Sequence, residues 1–316
     1  MRVVDWRGLE ASALAPAIAR AQARWLRELG WDTRASWIEV ERARVGWGLP
    51  GLAALDARGI VQGLTFFHAR AGRFDLGGVY GESDAARDAL LRAAIDVAAH
   101  SGARELAAFV HLESSALQAV FTGQGFAIEQ CDYLSADLAR ERPAPTANEH
   151  ADLQWRAWSP GAHDACADLL LASYDDAAAR RFVAEVDHDG WAAYLDALVR
   201  FPACGRFLPE ASVLAYDADR LVGALLLTDL GPATAHVAQL AVHPEQRRRG
   251  VAAHLLDRAM QRAQAIGSAR VTLLVSRGNT SAQQLYASRS FAATGMFLAG
   301  SRRFDVRSER PMRRAG

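Results

Sequence analysis

The stretch HPEQRRRGVAAHLL, residues 243–256, places three arginines directly before a glycine and then begins a helix-like pattern. The apolar run HVAQLAV, residues 236–242, precedes it and is typical of a strand. Gly250 permits a tight turn between strand and helix, and Ala252 keeps the approach to that turn open. Because the first N–H groups of a helix lack acceptors and carry the positive end of its dipole, this junction predicts a phosphate or pyrophosphate site. The alternative is a solvated basic turn closed by a glycine.

The elements around this junction occur twice in the chain. GLAALDARGIVQGLTFF, residues 51–67, and SVLAYDADRLVGALLLTDL, residues 212–230, each predict a β-hairpin, because apolar runs flank a turn rich in Asp and Gly. A strand, a helix, a strand and a second helix follow each hairpin, with the helices predicted at 84–100, 113–123, 250–266 and 280–289. The chain therefore predicts a duplicated α/β unit, with domains at 1–140 and 153–316 and a Pro-rich linker at 141–152.

Composition limits the classes of function. The 316 residues fit two domains, and the 36 basic and 36 acidic side chains balance, which argues against a nucleic-acid or anionic membrane partner. Every basic residue other than histidine is an arginine, so a Schiff-base lysine and a Walker lysine are excluded. The three cysteines show no metal-ligand spacing, and no apolar segment is typical of a signal peptide or a membrane span. We therefore expect a cytoplasmic protein without a metal, as a monomer or a homodimer.

Two spaced motifs carry a family resemblance. Arg247-x-x-Gly250-x-Ala252 follows a strand, and Asn279-x-x-Ala282-x-x-Leu285-Tyr286 with Phe291 follows some thirty residues later. This pattern resembles the GNAT family of acyl-CoA-dependent N-acyltransferases. The resemblance implies an α/β (α+β) fold of two tandem GNAT-like domains, each a mixed, mostly antiparallel twisted sheet flanked by helices. It also implies acetyl-CoA as the cosubstrate and a small-molecule or peptide amine as the acceptor.

The resemblance further implies a role for each matching position. The main chain of the strand would pair with the pantetheine arm, and the amides of the turn would hold the pyrophosphate. Asn279 and Ala282 would lie along the pantetheine arm or its adjoining loop, and Tyr286 would act as the general acid for the leaving thiolate. The implied coenzyme-binding residues are Leu240, Ala241, Val242, Arg247, Arg248, Arg249, Gly250, Val251, Ala252, Asn279, Ala282 and Tyr286.

The general base is less clearly indicated. Counting back from the arginine motif without gaps, His236 falls where some relatives carry a glutamate base, and an imidazole titrates near neutrality. A strand histidine satisfied by a neighbour is an equally good interpretation. Gln239 cannot act as a base, and Asp229 is a second candidate, although Asp at a strand end is usually a turn residue. Ser290 replaces the glycine usual in the family, at little cost if its φ is negative.

The first half lacks the arginine motif. GGVYGESDAARDALL, residues 77–91, stands at the corresponding place, and its Glu82 and Asp84 would repel a pyrophosphate, while Ser83 or Asp84 is suited to cap the helix. We therefore expect a degenerate N-terminal domain that does not use acyl-CoA.

The acceptor side is indicated only by helices and aromatic residues. The helical run at 15–29 and the helices before the second hairpin are expected to cover the sheets and form a substrate wall, with Trp155, Trp158, Trp191 and Tyr174 as aromatic candidates. The sequence predicts an N-acyltransferase. A non-catalytic acyl-CoA sensor is the alternative.

Overall fold

The protein is described by a computed structural model that defines residues 1–70, 72–112, 115–139, 152–201 and 204–304. These residues form thirteen strands and nine α-helices. The fold divides into two units: unit 1 contains Met1–Ala17, Gly48–Glu129 and Leu298–Gly316, and unit 2 contains Ile18–Trp47 and Gln130–Phe297. The predicted linker at 141–152 lies outside the described residues except for Asp152, so the domain limits stay a prediction.

Unit 1 is a sheet with helices. Its elements are β1 (Arg2–Asp5), β2 (Gly51–Leu55), β3 (Val61–Arg70), β4 (Arg73–Gly81), α3 (Asp84–His100), β5 (Glu105–His111) and α4 (Ser115–Gly123). Strands β1 to β4 pair antiparallel with their neighbours in chain order, and β4 pairs with β5 in parallel. The core lies between this sheet and α3, with Leu90 and Leu91 fully buried.

Unit 2 carries the arginine motif. Its helices are α2 (Arg34–Gly46), α5 (His163–Ser173), α6 (Asp176–Ala179), α7 (His188–Arg200), α8 (Val251–Ala265) and α9 (Thr280–Ala287). Its strands are β7 (Leu153–Ala157), β8 (Arg206–Phe207), β9 (Val213–Asp217), β10 (Arg220–Asp229), β11 (Thr234–Val242) and β12 (Arg270–Ser276). Three further elements have residues in both units: α1 (Ala11–Leu29), β6 (Ala127–Asp137) and β13 (Ala292–Arg303).

The sheet of unit 2 is mixed and mostly antiparallel, with strand order β6-β12-β11-β10-β9-β7 and β8 beside β10. Only β11 and β12 pair in parallel within this order. Helix α8 covers one face, where Leu225 and Leu227 of β10 share a core with Leu255. Helices α5 and α7 cover the other face, where Leu226 contributes to a second core. We call these the α8 face and the α5 face.

Corresponding glycines show how the repeat packs. A Cβ on Gly223 of β10 would meet Leu255 of α8 at 3.0 Å, and one on Gly63 of β3 would meet Leu90 of α3 at the same distance. A glycine at this position therefore lets the first helix after the turn pack closely on its sheet in each unit. In the described part of the chain, no helix combines the length and the apolar character that crossing a membrane requires.

Candidate active site

Strands β11 and β12 separate halfway along their length. They pair over four residue pairs, from Thr234↔Arg270 to Val237↔Leu273, and the described residues form no pair beyond that point although β11 continues to Val242. The β10–β11 register shifts between Leu226 and Leu227, which places an extra residue, Ala238, in β11 as a β-bulge. The residues after the bulge therefore pair with β10 on one side only, and the edge toward β12 is open.

The three strand residues predicted to bind pantetheine lie on this open edge. Leu240, Ala241 and Val242 pair with Leu225, Ala224 and Gly223 of β10. Because the N–H and C=O groups of a strand alternate between its two edges, part of the backbone of this segment points toward the gap. An extended amide-containing chain can pair with such an edge as an added strand would.

The turn after β11 presents a run of unpaired backbone donors. Arg248 has a φ of 62° and Gly250 a φ of 85°, so two residues of the turn are left-handed. Gly250 is the N-cap of α8 and offers no side chain to the helix amides. Among the described residues, no acceptor contacts the six backbone N–H groups from Arg248 to Ala253, and the first helix bond is His254 N–H to the Gly250 carbonyl. Backbone donors in such a turn form a concave anion site at the positive end of the helix dipole.

The three arginines of the motif differ in their contacts. Arg247 donates from Nε to the Val242 carbonyl at 3.2 Å and from its terminal nitrogen to the Ser173 carbonyl at 2.5 Å. Arg249 donates to the Gln246 side chain at 3.2 Å and is exposed. Arg248 is exposed and has no ion-pair partner in the part of the chain that the structure describes. All three arginines are exposed, and Arg247 ties the turn to α5.

Helix α9 carries the predicted acid. The Asn279 side chain caps this helix by accepting from Ala282 N–H at 3.1 Å, so its oxygen has a structural role. Tyr286 is 6% exposed, and its ring lies 5.7 Å from that of Phe291. Its hydroxyl has no hydrogen-bond partner among the described residues. Burial raises the pKa of Tyr286 above the ordinary value, and the nearby Tyr174 phenol adds to this, so the hydroxyl stays protonated.

On the α5 face, Gln239 connects two tyrosines. The Tyr174 hydroxyl donates to Gln239 Oε1 at 2.7 Å, and Gln239 Nε2 donates to the Tyr194 hydroxyl at 2.8 Å. Burial raises the pKa of Tyr174 to about 12 and that of Tyr194 still further. Both phenols therefore remain neutral. From the sequence, Gln239 was named only as a residue that cannot act as a base and Tyr174 only as an aromatic candidate for the substrate wall, and no pattern joined the two.

His236 lies in the paired part of β11, before the bulge. Its Nδ1 is 3.0 Å from the Thr272 hydroxyl, and its ring stacks with Trp31 at 5.9 Å and Tyr133 at 6.1 Å between centroids. The residue is 4% exposed, and burial lowers the pKa of its imidazole to about 4. The assignment of His236 as the general base stays a prediction, and this closed environment argues against it.

The other predicted residues have simpler positions. Asp229 accepts from Gly231 N–H at 3.0 Å and pairs with Arg206 at 3.2 Å, so it acts as a turn residue. Trp191 stacks with Tyr174 at 5.2 Å on the α5 face, whereas Trp155 lies under Arg258 of α8 at 4.7 Å. Trp155 is therefore on the opposite face from the expected substrate wall. Within the described ranges, no group of three or more His, Cys, Asp or Glu side chains is arranged to hold a metal ion.

Unit 1 has the same separation of strands but a different turn. Strands β4 and β5 pair over four residue pairs, Arg73↔Glu105 to Leu76↔Ala108, and a register shift in β3–β4 marks a bulge at Gly77. Here Ser83 caps α3, with its hydroxyl accepting from Ala86 N–H at 3.2 Å. Asp84 adds a negative charge in the first turn of α3. The α3 N-terminus is therefore capped and acidic where that of α8 is open and basic.

Ser290 departs from what the sequence suggested. Its φ is 57°, in the left-handed region, whereas a negative φ would have made the replacement of glycine inexpensive. Gly125, at the corresponding place before Phe126, has a φ of 76°. The repeat thus keeps the left-handed turn in both units, and serine adopts it in unit 2 at a cost of about 1–2 kcal/mol.

Comparisons with known proteins agree with this geometry. The acetyltransferase (GNAT) family model matches residues 147–291. A GCN5-related N-acetyltransferase from Sphaerobacter thermophilus superposes with a TM-score of 0.71 at 17% identity over 95% of both chains. A tandem GNAT protein from the clavulanic acid biosynthesis pathway gives 0.56 at 15% identity, over 81% of this chain and 82% of that one.

A third structure is the GCN5-related glucosamine N-acetyltransferase region of a fungal multi-domain GH3 β-N-acetylglucosaminidase. It gives a TM-score of 0.68 at 15% identity, over 95% of this chain and 38% of that one. A search of curated proteins finds no significant match. At these identities the structural likeness establishes the fold, and the predicted fold class is confirmed. The family match shows that residues 147–291 form a GNAT acetyltransferase domain, and the structural likeness shows that the chain has the fold of tandem GNAT proteins.

Proposed function

We propose that unit 2 is an acyl-CoA-dependent N-acyltransferase, with acetyl-CoA as its donor, that passes the acyl group directly to an amine. The observation that carries this proposal is the run of six unpaired N–H groups at residues 248–253, directly after a strand with an open edge. A pyrophosphate accepts hydrogen bonds and carries negative charge, so it suits these donors. The pantetheine amides suit the backbone of Leu240, Ala241 and Val242.

The chemical step is assigned to Tyr286 of α9, the implied acid. The attacking amine forms the new C–N bond at the thioester carbonyl, the C–S bond breaks, the amine gives up one proton to solvent, and CoA leaves as the thiolate. The Tyr286 hydroxyl donates a hydrogen bond to the departing sulfur. Because its pKa lies above the ordinary value for tyrosine, stabilising the thiolate is easier for this phenol than giving up the proton entirely.

Unit 1 is proposed not to use acyl-CoA. The Ser83 cap occupies an amide that the pyrophosphate would need, and Glu82 and Asp84 repel it. At the position of Tyr286, unit 1 has Phe121, which has no hydroxyl and is fully buried against Phe126. Its proposed role is a scaffold. The cytoplasmic location, the small-molecule or peptide acceptor and the monomeric or dimeric state stay predictions.

The test measures CoA release from acetyl-CoA with a panel of amines, beside binding of acetyl-CoA by calorimetry. We expect amine-dependent release of CoA with formation of the acylated amine, detected by mass spectrometry. Tight binding without release for any amine would instead support the alternative, a non-catalytic acyl-CoA sensor. No binding of acetyl-CoA at all would rule out both the transferase and the sensor.

A further inference from the structure

The α5 face carries a line of polar side chains beside the open edge of β11. Leu226 pairs with Gln239 and Thr228 with His236 across β10 and β11, so directly opposed side chains share a face. His236 and Gln239 are three residues apart, and the bulge at Ala238 brings them to the same face. Gln239 is the first residue after the bulge and directly precedes Leu240, and it is 3% exposed.

Two neutral phenols contact the Gln239 amide. The Tyr174 and Tyr194 hydroxyls use both ends of this amide. The Tyr174 hydroxyl donates its proton to Gln239, so the lone pairs of its oxygen stay available for an N–H group of the amine substrate. The Tyr194 hydroxyl accepts a hydrogen bond from Gln239, so its own O–H stays available for a polar oxygen of the substrate. The site therefore offers hydrogen bonds without a negative charge.

The charged groups near these phenols are mainly positive. The positive charges of Arg181 and Arg247 lower the pKa of Tyr174, although burial has the larger and opposite effect. The carboxylates of α5, α6, α7 and the segments between them all belong to exposed residues: Asp164, Asp168, Asp175, Asp176, Glu185, Asp187, Asp189 and Asp196. On the strands, Asp229 is engaged with Arg206, and His236 is closed off by Trp31 and Tyr133. The described residues thus supply no buried base at the Gln239 position.

An aromatic surface adjoins this site. Phe182 lies 5.5 Å from Tyr174, 5.8 Å from Trp191 and 5.7 Å from Tyr194, measured between ring centroids. Trp191 is fully buried, whereas Phe182 is 39% exposed. An aromatic or apolar body can therefore contact Phe182 while its nitrogen approaches the half-buried hydroxyls of Tyr174 and Tyr194, which Gln239 orients from behind.

We propose that unit 2 selects acceptors whose amine is uncharged near neutral pH, carried on an aromatic or apolar body, and that Gln239 determines this selection. The inference rests on the proposed acyl transfer. An alkylamine with a pKa of about 10.4 is neutral in roughly one molecule per thousand near pH 7.4, and this site would have to use that fraction. An arylamine is already neutral because its lone pair is delocalised into the ring.

Two isomeric amines test the proposal, 4-methylaniline and benzylamine, which have the same atoms and differ in basicity. With the full chain and saturating acetyl-CoA, we expect kcat/KM at pH 7 to be at least about tenfold higher for 4-methylaniline. The value for benzylamine should rise about tenfold per pH unit above pH 7, and that for 4-methylaniline should stay flat. Phe182→Ala should raise KM for 4-methylaniline several-fold without changing the Kd of acetyl-CoA.

Substitution of Gln239 gives the second arm. Gln239→Glu places a carboxylate at this position and should raise kcat/KM for benzylamine at pH 7, whereas Gln239→Leu adds no base and should not. Equal or better use of benzylamine by the wild-type protein at pH 7, with a flat pH profile, overturns this inference and leaves the transferase function standing. Absence of CoA release with both amines and the wider panel, despite acetyl-CoA binding, overturns the transferase function itself and the inference with it.

Discussion

Replacing Gly250 with valine should nearly abolish acetyl-CoA binding. Gly250 has a φ of 85°, and a β-branched residue there costs at least about 1–2 kcal/mol. The turn relieves this strain by rotating, which turns its amides away from a common point. Hydrogen bonds to a charged group contribute about 1.5–3 kcal/mol each, so losing two of the six removes about 3–6 kcal/mol. We therefore expect Kd to rise by roughly two to four orders of magnitude.

The matched control is Gly267, after the end of α8. Its φ is 92°, and no heavy atom lies within 4 Å of an added Cβ, so Gly267→Val brings the same kind of backbone strain away from the turn. This variant should lose about 1–2 kcal/mol of stability and bind acetyl-CoA as the wild type does. Calorimetry at one salt concentration measures all the variants, with circular dichroism to confirm folding.

The arginine variant separates backbone from charge. Arg249 is exposed, so Arg249→Ala should weaken binding by at most about 1 kcal/mol, or roughly fivefold. A larger loss of affinity in Arg249→Ala than in Gly250→Val, or equal binding of acetyl-CoA by Gly250→Val and Gly267→Val, would show that the backbone at Gly250 does not hold the coenzyme.

Three further outcomes are expected. Tyr286→Phe should lower kcat about tenfold or more without changing the Kd of acetyl-CoA, because it removes only the hydroxyl near the departing sulfur; an unchanged kcat would exclude that role. Burial lowers the pKa of His236 from 6.5 to about 4. Between these two pH values the imidazole is protonated in the unfolded chain and neutral in the folded one. The free energy of unfolding should therefore fall by roughly 3 kcal/mol from pH 6.5 to 4. In urea titrations, His236→Gln should remove this loss of stability, and an unchanged pH dependence would show that His236 does not cause it. If His236 is instead the general base, the same variant abolishes the acidic limb of the pH–rate profile. Ser290→Gly should stabilise the protein by about 0.5–1 kcal/mol by thermal denaturation, because glycine adopts the left-handed φ of 57° without strain, and a lowered Tm would count against this reason.

The repeat and its glycines could be predicted from local patterns. Hairpin turns, the strand-to-helix junction and the special backbone at Gly250 depend on residues that are close in sequence. The correspondence of Phe121 with Tyr286 was also visible, because each precedes another Phe by five residues. These features follow from short-range chemistry, which a single sequence contains.

The environment of the site could not be predicted in the same way. His236 and Gln239 lie on one face only because of the bulge at Ala238, and nothing in HVAQLAV marks an inserted residue. The stacking of Trp31 on His236 depends on residues 18–47 belonging to unit 2, although they precede the first hairpin in the chain. Such contacts join residues some two hundred positions apart, where periodicity carries no information.

Hydrogen–deuterium exchange with and without acetyl-CoA shows whether the backbone amides of the arginine turn bind the coenzyme. It compares peptides covering residues 243–256 of unit 2 with peptides covering residues 77–91 of unit 1. We expect acetyl-CoA to slow exchange of the amides of residues 248–253, which have no acceptor of their own among the described residues, and to leave the turn at Ser83 unchanged. Slower exchange at the Ser83 turn, or unchanged exchange at residues 248–253 under saturating acetyl-CoA, would contradict this expectation.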